Sequence, residues 1–302
     1  MLLLAAFDVG SDFAMKQSTQ VRALLLLVNL LGPASAAAAQ PQCNNGTIMN
    51  IVAHEDDDLL FLSPDLLHDI KSGRCVRTVF VTAGDANLGL PYSRSRAKGV
   101  RLAYAWMARV PSAWTVSDAS IPGHTIPIFT LRGHPKISLV FLKLPDGDFD
   151  GDGFSNNHYQ SLQKLLRGTI PEIKPIDGSK SFTKRSLHGT LLKLIRNYRP
   201  DTLRTQDVNF VIWDHSDHRA VASLAESAQL RYTAPHTFIS YRDYINLFYP
   251  QNISGADLVA KESAFSTYAV HDSQIGCYTC FYNPYFYWLK RQYISNSAVR
   301  YR

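Results

Sequence analysis

Past its first forty residues the sequence has no apolar run long enough to cross a bilayer, no internal repeat and no Pro- or Ser-rich linker. Those absences argue against a bundle of membrane spans, a solenoid and a string of flexibly joined modules. It also has no dense block of Lys or Arg and no RNA-binding signature. The net charge of +6, from 31 basic and 25 acidic residues, therefore describes a mildly basic surface and excludes a dedicated nucleic-acid binder. Anionic headgroups or acidic glycans remain compatible with it. Cysteine is scarce, with only Cys43, Cys75, Cys277 and Cys280. There is one CxxC and no second, which argues against a four-cysteine zinc site. A redox pair is the other reading of "CYTC", but its place in an aromatic-rich stretch favours a structural disulfide. Of the three possible pairings, Cys43 with Cys75 and Cys277 with Cys280 is expected.

What is present begins with a leader. "MKQSTQVRALLLLVNLLGPASAAAAQ", from Met15, has basic residues Lys16 and Arg22, an apolar stretch from Ala23 to Leu31 and small residues from Ala34 to Ala39. That is the layout of a cleavable secretory signal over residues 1–39, with translation expected to begin at Met15 and cleavage close to Ala39. An uncleaved, membrane-anchoring signal is the alternative. Asn45-Gly46-Thr47 and Asn252-Ile253-Ser254 are glycosylation sequons. Together these point to a secreted protein or one in the lumen of the endoplasmic reticulum, with residues 43–302 as one domain.

Along that domain, buried-strand patterns at 46–55 and 76–84 alternate with helical patterns at 63–73 and 93–108. Ser63 reads as the cap of the first helix and Gly73 as its stop. Further strands are expected at 125–131, 136–144, 200–207 and 237–244, with helices at 184–198 and 254–271. The β-α-β-α order predicts an α/β fold with a mostly parallel, Rossmann-like sheet flanked by helices. The aromatic C-terminal segment is expected to pack onto it.

Two clusters carry the chemistry. "AHEDDD" (53–58) packs a His and four acids at the end of the first predicted strand, where α/β sheets bind ligands. Like charges so close repel, and a cation relieves the repulsion. Acids capping the next helix are the plainer reading, but they leave His54 unexplained. "DHSDH" (214–218) also lies between a strand and a helix. His plus carboxylate plus His is a familiar zinc set.

These clusters resemble the A-H-P-D-D-E and H-P-D-H signatures of the LmbE-like / N-acetylglucosaminyl-phosphatidylinositol de-N-acetylases. "VTAGDAN", "RPDTLRTQD" and "KESAFSTYAVHDSQ" add to the likeness, which runs from about residue 47 to 280. The resemblance implies a Rossmann-like fold and zinc-dependent removal of an acetyl group from a glucosamine unit. It implies His54, Asp57 and His218 as zinc ligands and Asp56 as general base. His215 would protonate the leaving amine or stabilise the oxyanion, with Asp217 orienting it. Arg94, Arg96 and His271 are candidates for substrate binding.

The chain departs from the signatures at Glu55, which stands for Pro, and at Asp58, which stands for Glu. Ala97 replaces a Glu, and Trp213 stands where some relatives have Tyr. Asp146, Asp148, Asp150 and Asp152 form the front of a calcium-type loop without its twelfth-position Glu, so a flexible substrate loop is the stronger expectation. The expected partner is an N-acetylglucosamine-containing glycan or glycolipid, with peripheral membrane contact possible, no nucleic acid, and the oligomeric state left open. The competing expectation is a carbohydrate-binding protein that keeps the fold and has lost catalysis.

Overall fold

The computed structural model describes residues 41–209 and 212–300; the expected signal region lies outside them. The first half of the chain runs β1 (Thr47–Val52), α1 (Asp57–Leu60), α2 (Asp65–Lys71), β2 (Cys75–Thr82), α3 (Gly89–Met107), β3 (Trp114–Asp118), β4 (Pro127–Leu131) and β5 (Ile137–Leu144). The second half runs α4 (Leu162–Arg167), β6 (Glu172–Ile173), β7 (Phe182–Thr183), α5 (Lys184–Tyr198), β8 (Thr202–Gln206), α6 (Ser216–Gln229), β9 (His236–Tyr241), α7 (Gly255–Ala269), α8 (Pro284–Trp288) and β10 (Ile294–Arg300).

Eight strands form one sheet in the order β10-β9-β8-β1-β2-β5-β4-β3. The five from β9 to β5 are mutually parallel, as the alternation of strands and helices requires. Alternate side chains of these strands enter two cores. Met49, Ile51, Val79 and Val140 face Leu187, Leu191, Val221 and Leu224 of α5 and α6. Ile48, Val52, Phe80 and Phe141 face Leu66, Val100, Tyr104 and Phe265 of α2, α3 and α7. A sheet covered on both sides needs strands that are apolar at nearly every position, which is how β1, β2 and β5 read.

From β1 the chain moves one way to β2 and β5, and returns on the other side through β8 and β9. The strand order therefore reverses at β1, and a crevice opens beyond the carboxyl ends of β1 and β8. Both sequence clusters lie there.

Helix α5 spans 184–198 as expected, because Thr183 and Ser186 close a capping box at its start. Helix α2 differs. Ser63 precedes a cis peptide, Pro64 takes the cap position and the helix starts at Asp65. Two edge elements also depart from expectation. β3 and β4 run antiparallel beside β5, and β10 pairs antiparallel with β9 after the aromatic α8. Edge strands are half exposed and carry weak periodicity, so "ISNSAVR" gives little signal. Lys261, fully buried on α7, ties this end of the chain down. Its Nζ donates to the carbonyls of Leu60 (2.6 Å), Trp288 (3.3 Å) and Arg291 (2.8 Å).

Cys43 is bonded to Cys75 and Cys277 to Cys280. The first closes a separation of 32 residues and anchors the entry to β1 on β2. Replacing both Cys43 and Cys75 by Ser is expected to lower unfolding stability by about 2–4 kcal/mol, measured as the shift of the urea midpoint. Asn45 and Asn252 are both exposed. The side-chain amide of Asn252 exchanges two hydrogen bonds with the backbone of Gln292.

Candidate active site

The crevice is built from the first residues after each parallel strand. His54 to Asp58 follow β1, Asp85 follows β2, Asp146 follows β5, Asp214 to His218 follow β8, and Asp243 follows β9. Nearly all are buried. Burying this many acids is costly unless each meets a donor or a cation, and the contacts show how the structure manages it.

Three imidazoles meet at the centre. Ring centroids of His54 and His215 are 4.6 Å apart, those of His54 and His218 5.2 Å, and those of His215 and His218 5.4 Å. Asp57 sits between two of them. Its Oδ2 accepts the His54 backbone N–H at 2.6 Å and lies 3.6 Å from His54 Nδ1, while its Oδ1 lies 3.0 Å from His218 Nε2. Burial alone would raise the Asp57 pKa. His218 and His54 outweigh it and hold the carboxyl well below the usual range. Conversely, burial would push His54 down, but Asp57 and Asp217 carry it up to about 10. The cluster is arranged around positive charge.

His218 shows what kind. Its Nδ1 is 2.7 Å from Asp214 Oδ1, a contact that places a proton on Nδ1, and its Nε2 is 3.0 Å from Asp57 Oδ1. That Nε2 is fully buried, and its contact with Asp57 lacks hydrogen-bond geometry. Burial would lower the His218 pKa, but Asp57 and Asp214 hold it well above the usual histidine range, so the pair of carboxylates calls for a proton or a metal ion at this ring. The ligand atoms of His54, Asp57 and His218 lie within 4.8 Å of one another, so the donor set fits a divalent metal. A second group, His54, Asp146, His215 and Asp217, satisfies the same distance, but there Gly147 N and His54 Nε2 already engage Asp217 Oδ2, at 2.9 and 3.2 Å. Metal ligands of the His type commonly have a carboxylate behind them, and Asp214 stands in that place for His218. Asp214→Asn is expected to weaken divalent-metal binding about 10–100-fold, measured by competition with a chromogenic chelator.

Asp56, next to Asp57, has both carboxylate oxygens in a network anchored by Arg96. Arg96 gives its Nη2–H to Asp56 Oδ1 at 2.8 Å, its Nη1–H to the Gly84 carbonyl at 2.7 Å and its Nε–H to Tyr268 Oη at 2.7 Å. Asp272 Oδ2 lies 3.0 Å from the same Nε, and Glu55 Oε2 is 3.7 Å from Nη1. Tyr285 Oη reaches the second oxygen of Asp56 at 3.3 Å. Burial raises the Asp56 pKa although Arg96 opposes it. Gly84 makes this arrangement possible: its φ is +48°, and a Cβ there would stand 2.0 Å from Arg96 Nη1.

His215 caps α6, its Nδ1 accepting the Asp217 backbone N–H at 3.2 Å. The ring proton is then on Nε2, which lies 3.8 Å from Asp146. Burial, with His54 and His218 alongside, holds the ring neutral, well below the usual histidine range. Gly147 must be glycine, since a Cβ would approach Asp217 Oδ1 to 2.6 Å.

The structure places the expected substrate-binding residues as follows. Arg96 is buried, and its Nε, Nη1 and Nη2 each donate to a protein group. Arg94 is exposed and makes no hydrogen bond or ion pair. His271 packs on Gly99 of α3, and its neighbour Asp272 is the residue that reaches Arg96. The Asp217 carboxylate lies 3.2 Å from His54 and 3.9 Å from His215, so it bears on the first ring more closely. Asp148 and Asp150 cap their own loop through the N–H groups of Phe149 and Asp152. Among the described residues, Asp148, Asp150 and Asp152 join no group suited to a metal. Trp213, two residues before His215, is 70% exposed, and the ring of Phe149, 43% exposed, stands 6.2 Å from that of His215. Asp85, Asp243, Asp272 and Tyr285 carry no site assignment from sequence, while Asp146 reads there only as part of the acidic substrate loop and Asp214 only as the first residue of the second cluster. Asp85, Asp146 and Asp214 are each the first carboxylate after a predicted strand.

The GlcNAc-PI de-N-acetylase family model matches residues 49–229. No curated protein matches the sequence. Among solved structures, an N,N'-diacetylchitobiose deacetylase from Pyrococcus horikoshii aligns at 14% identity and a TM-score of 0.48, covering 84% of each chain. A zinc-inhibited form of teicoplanin deacetylase Orf2 aligns at 17% and 0.47, covering 80% of this chain and 89% of that one. The 4-carboxy-2-hydroxymuconate hydratase GalB from Pseudomonas putida aligns at 10% and 0.44, covering 80% and 82%.

Proposed function

Since the chain belongs to the GlcNAc-PI de-N-acetylase family, we propose that it is a zinc-dependent hydrolase that removes the acetyl group from an N-acetylglucosamine-containing glycan or glycolipid. The observation that carries this reading is the convergence of His54, Asp57 and His218 in a buried crevice, their ligand atoms within 4.8 Å of one another and His218 Nε2 held 3.0 Å from Asp57 without a hydrogen bond.

His54, Asp57 and His218 would hold the zinc, which would supply a Lewis acid and lower the pKa of bound water toward neutrality. The remaining work falls to the chain. Asp56, aimed by Arg96 and Tyr285, takes a proton from the attacking water. The water oxygen bonds to the acetyl carbon, and the neutral His215 gives its Nε2–H as a hydrogen bond to the developing oxyanion. When the C–N bond breaks, the proton on Asp56 passes to the departing nitrogen. Acetic acid and a free amine result, the acid giving its remaining water-derived proton to solvent or to the amine as acetate leaves, and Asp56 is a carboxylate again. A proton transfer from His215 would leave an imidazolate, so the geometry favours its oxyanion role. Phe149 and Trp213 at the rim offer apolar faces against which sugar rings pack.

Acetate release is the direct test, measured with chitooligosaccharides, free N-acetylglucosamine and N-acetylglucosaminylphosphatidylinositol. Release from at least one is expected. None from any, with zinc loaded, would replace this reading with a carbohydrate-binding protein on the same fold. We further propose that the protein acts outside the cytoplasm, as the N-terminal leader and two sequons suggest; fractionation of cells expressing the full chain checks it.

A further inference from the structure

The net charge of the chain is unevenly placed. Residues 161–199 hold nine Lys and Arg against two acids, Glu172 and Asp177, while the rest of the sequence holds 22 basic and 23 acidic residues. The nine are spread thinly along the sequence, and folding gathers part of them. A groove of about 1110 Å³ runs between α5 and α6, lined by Lys184, Arg185, His188, Lys193 and Arg196 of α5 and by Arg231 just beyond α6. Among the described residues no Asp or Glu lines it. Its four arginines and lysines on α5 and Arg231 are exposed, and among the described residues none pairs with a carboxylate. Uncompensated like charges along one trough favour an anionic occupant.

The groove also has a bare floor. Gly189 sits in the middle of α5 with nothing within 4 Å of where its Cβ would be. A mid-helix glycine costs about 1 kcal/mol relative to alanine, and no neighbouring group requires it here. Its absence of a side chain lets a ligand lie against the helix.

We propose that this groove binds a linear acidic glycan, a chain of sugars bearing carboxylate or sulfate groups. From Lys184 to Arg196 the cations extend along about 18 Å of helix, so the complement is an extended chain with repeated negative charge. Of the exposed large apolar side chains, none lines the groove, and a concave surface without apolar wedges is poorly shaped for a bilayer. Among the described residues no Phe, Tyr or Trp on which bases stack lines it. Both α5 and α6 start at the sheet edge that carries the crevice and run away from it, α5 ending four residues before β8. The groove therefore lies along the flank of the domain, apart from the metal site, and its occupant is held independently of the proposed hydrolysis.

The test uses the chain from residue 41 onward in parallel with the full chain, and measures fluorescence anisotropy with a heparin-derived octasaccharide and an oligogalacturonate of equal length. Saturable binding that weakens steeply with added salt is expected. The triple substitution R185E/K193E/R196E is expected to lower affinity at least about thirtyfold, a factor of three or more per reversed charge, with the thermal midpoint unchanged. Retained affinity in that variant overturns the proposal. So does tighter binding, through the same three residues, to phosphatidylserine-containing vesicles or to a single-stranded oligonucleotide than to either glycan.

Discussion

His218→Ala is expected to yield a folded protein that has lost its zinc and at least about a thousandfold of its acetate release, because several kcal/mol of transition-state charge stabilisation depart with a Lewis acid. The reason lies in Nε2. It is buried, faces Asp57 at 3.0 Å without a hydrogen bond, and its ring is held from the other side by Asp214 at 2.7 Å. Alanine removes the ligand and also leaves Asp57, Asp214 and Asp243 close together with one cationic partner fewer, so a loss of stability is expected as well. His54→Ala provides the second arm, since it removes a ligand on the other side of Asp57 and leaves the Asp214 contact intact. Elemental analysis should find about one zinc per wild-type chain and little in either variant. Full zinc content in both variants would overturn the ligand assignment whatever their activity. Chelation of the wild type gives the matching control: activity and thermal midpoint should fall together and return when zinc is restored.

How far the sequence could have led to this site depends on which contacts are local. β1 and β2 announce themselves because strands covered on both faces are apolar throughout, and α5 because Thr183 and Ser186 cap it. His54, Asp57 and His218 are readable as a set because two short motifs each place their residues within one turn of a strand end. The surroundings are different. Arg96 looks like any basic residue at the start of a helix until α7 is packed against α3 and brings Tyr268 and Asp272 to it. Asp272 itself lies beside a histidine that draws attention by its chemistry, yet a helix end exposes one neighbour and buries the next. Asp146 was visible as part of an acidic loop, and only the Asp85 contact to its backbone N–H at 3.1 Å shows that the loop starts inside the crevice. Glu55 is the sharpest case. A proline in the signature becomes a buried glutamate whose Oε2 has no hydrogen-bond partner and whose pKa burial raises to about 8. Its stabilising neighbour is Arg96, forty-one positions away in the sequence, and no local rule pairs them.

Asp56→Asn is expected to bind zinc as the wild type does and to lose about 10²–10⁴-fold in kcat, the range for removing a general base, with KM little changed. The amide keeps the volume of the carboxylate and one oxygen to accept from Arg96, so the thermal midpoint should stay close to that of the wild type. Wild-type turnover in this variant would remove Asp56 as the base. Arg96→Lys then separates two accounts of Arg96. If the guanidinium were a substrate contact, as its position at the start of α3 suggests from sequence, lysine would chiefly raise KM. Buried as it is, with bonds to Asp56, the Gly84 carbonyl and Tyr268, it acts on kcat by holding Asp56 in line. A lysine cannot reproduce that fork of donors, so kcat should fall while KM holds. The double variant decides between them. Where Arg96 works only through Asp56, adding Arg96→Lys to Asp56→Asn costs no further turnover, because the group it positions is already silent. Fully additive losses would instead give Arg96 a role of its own in the reaction.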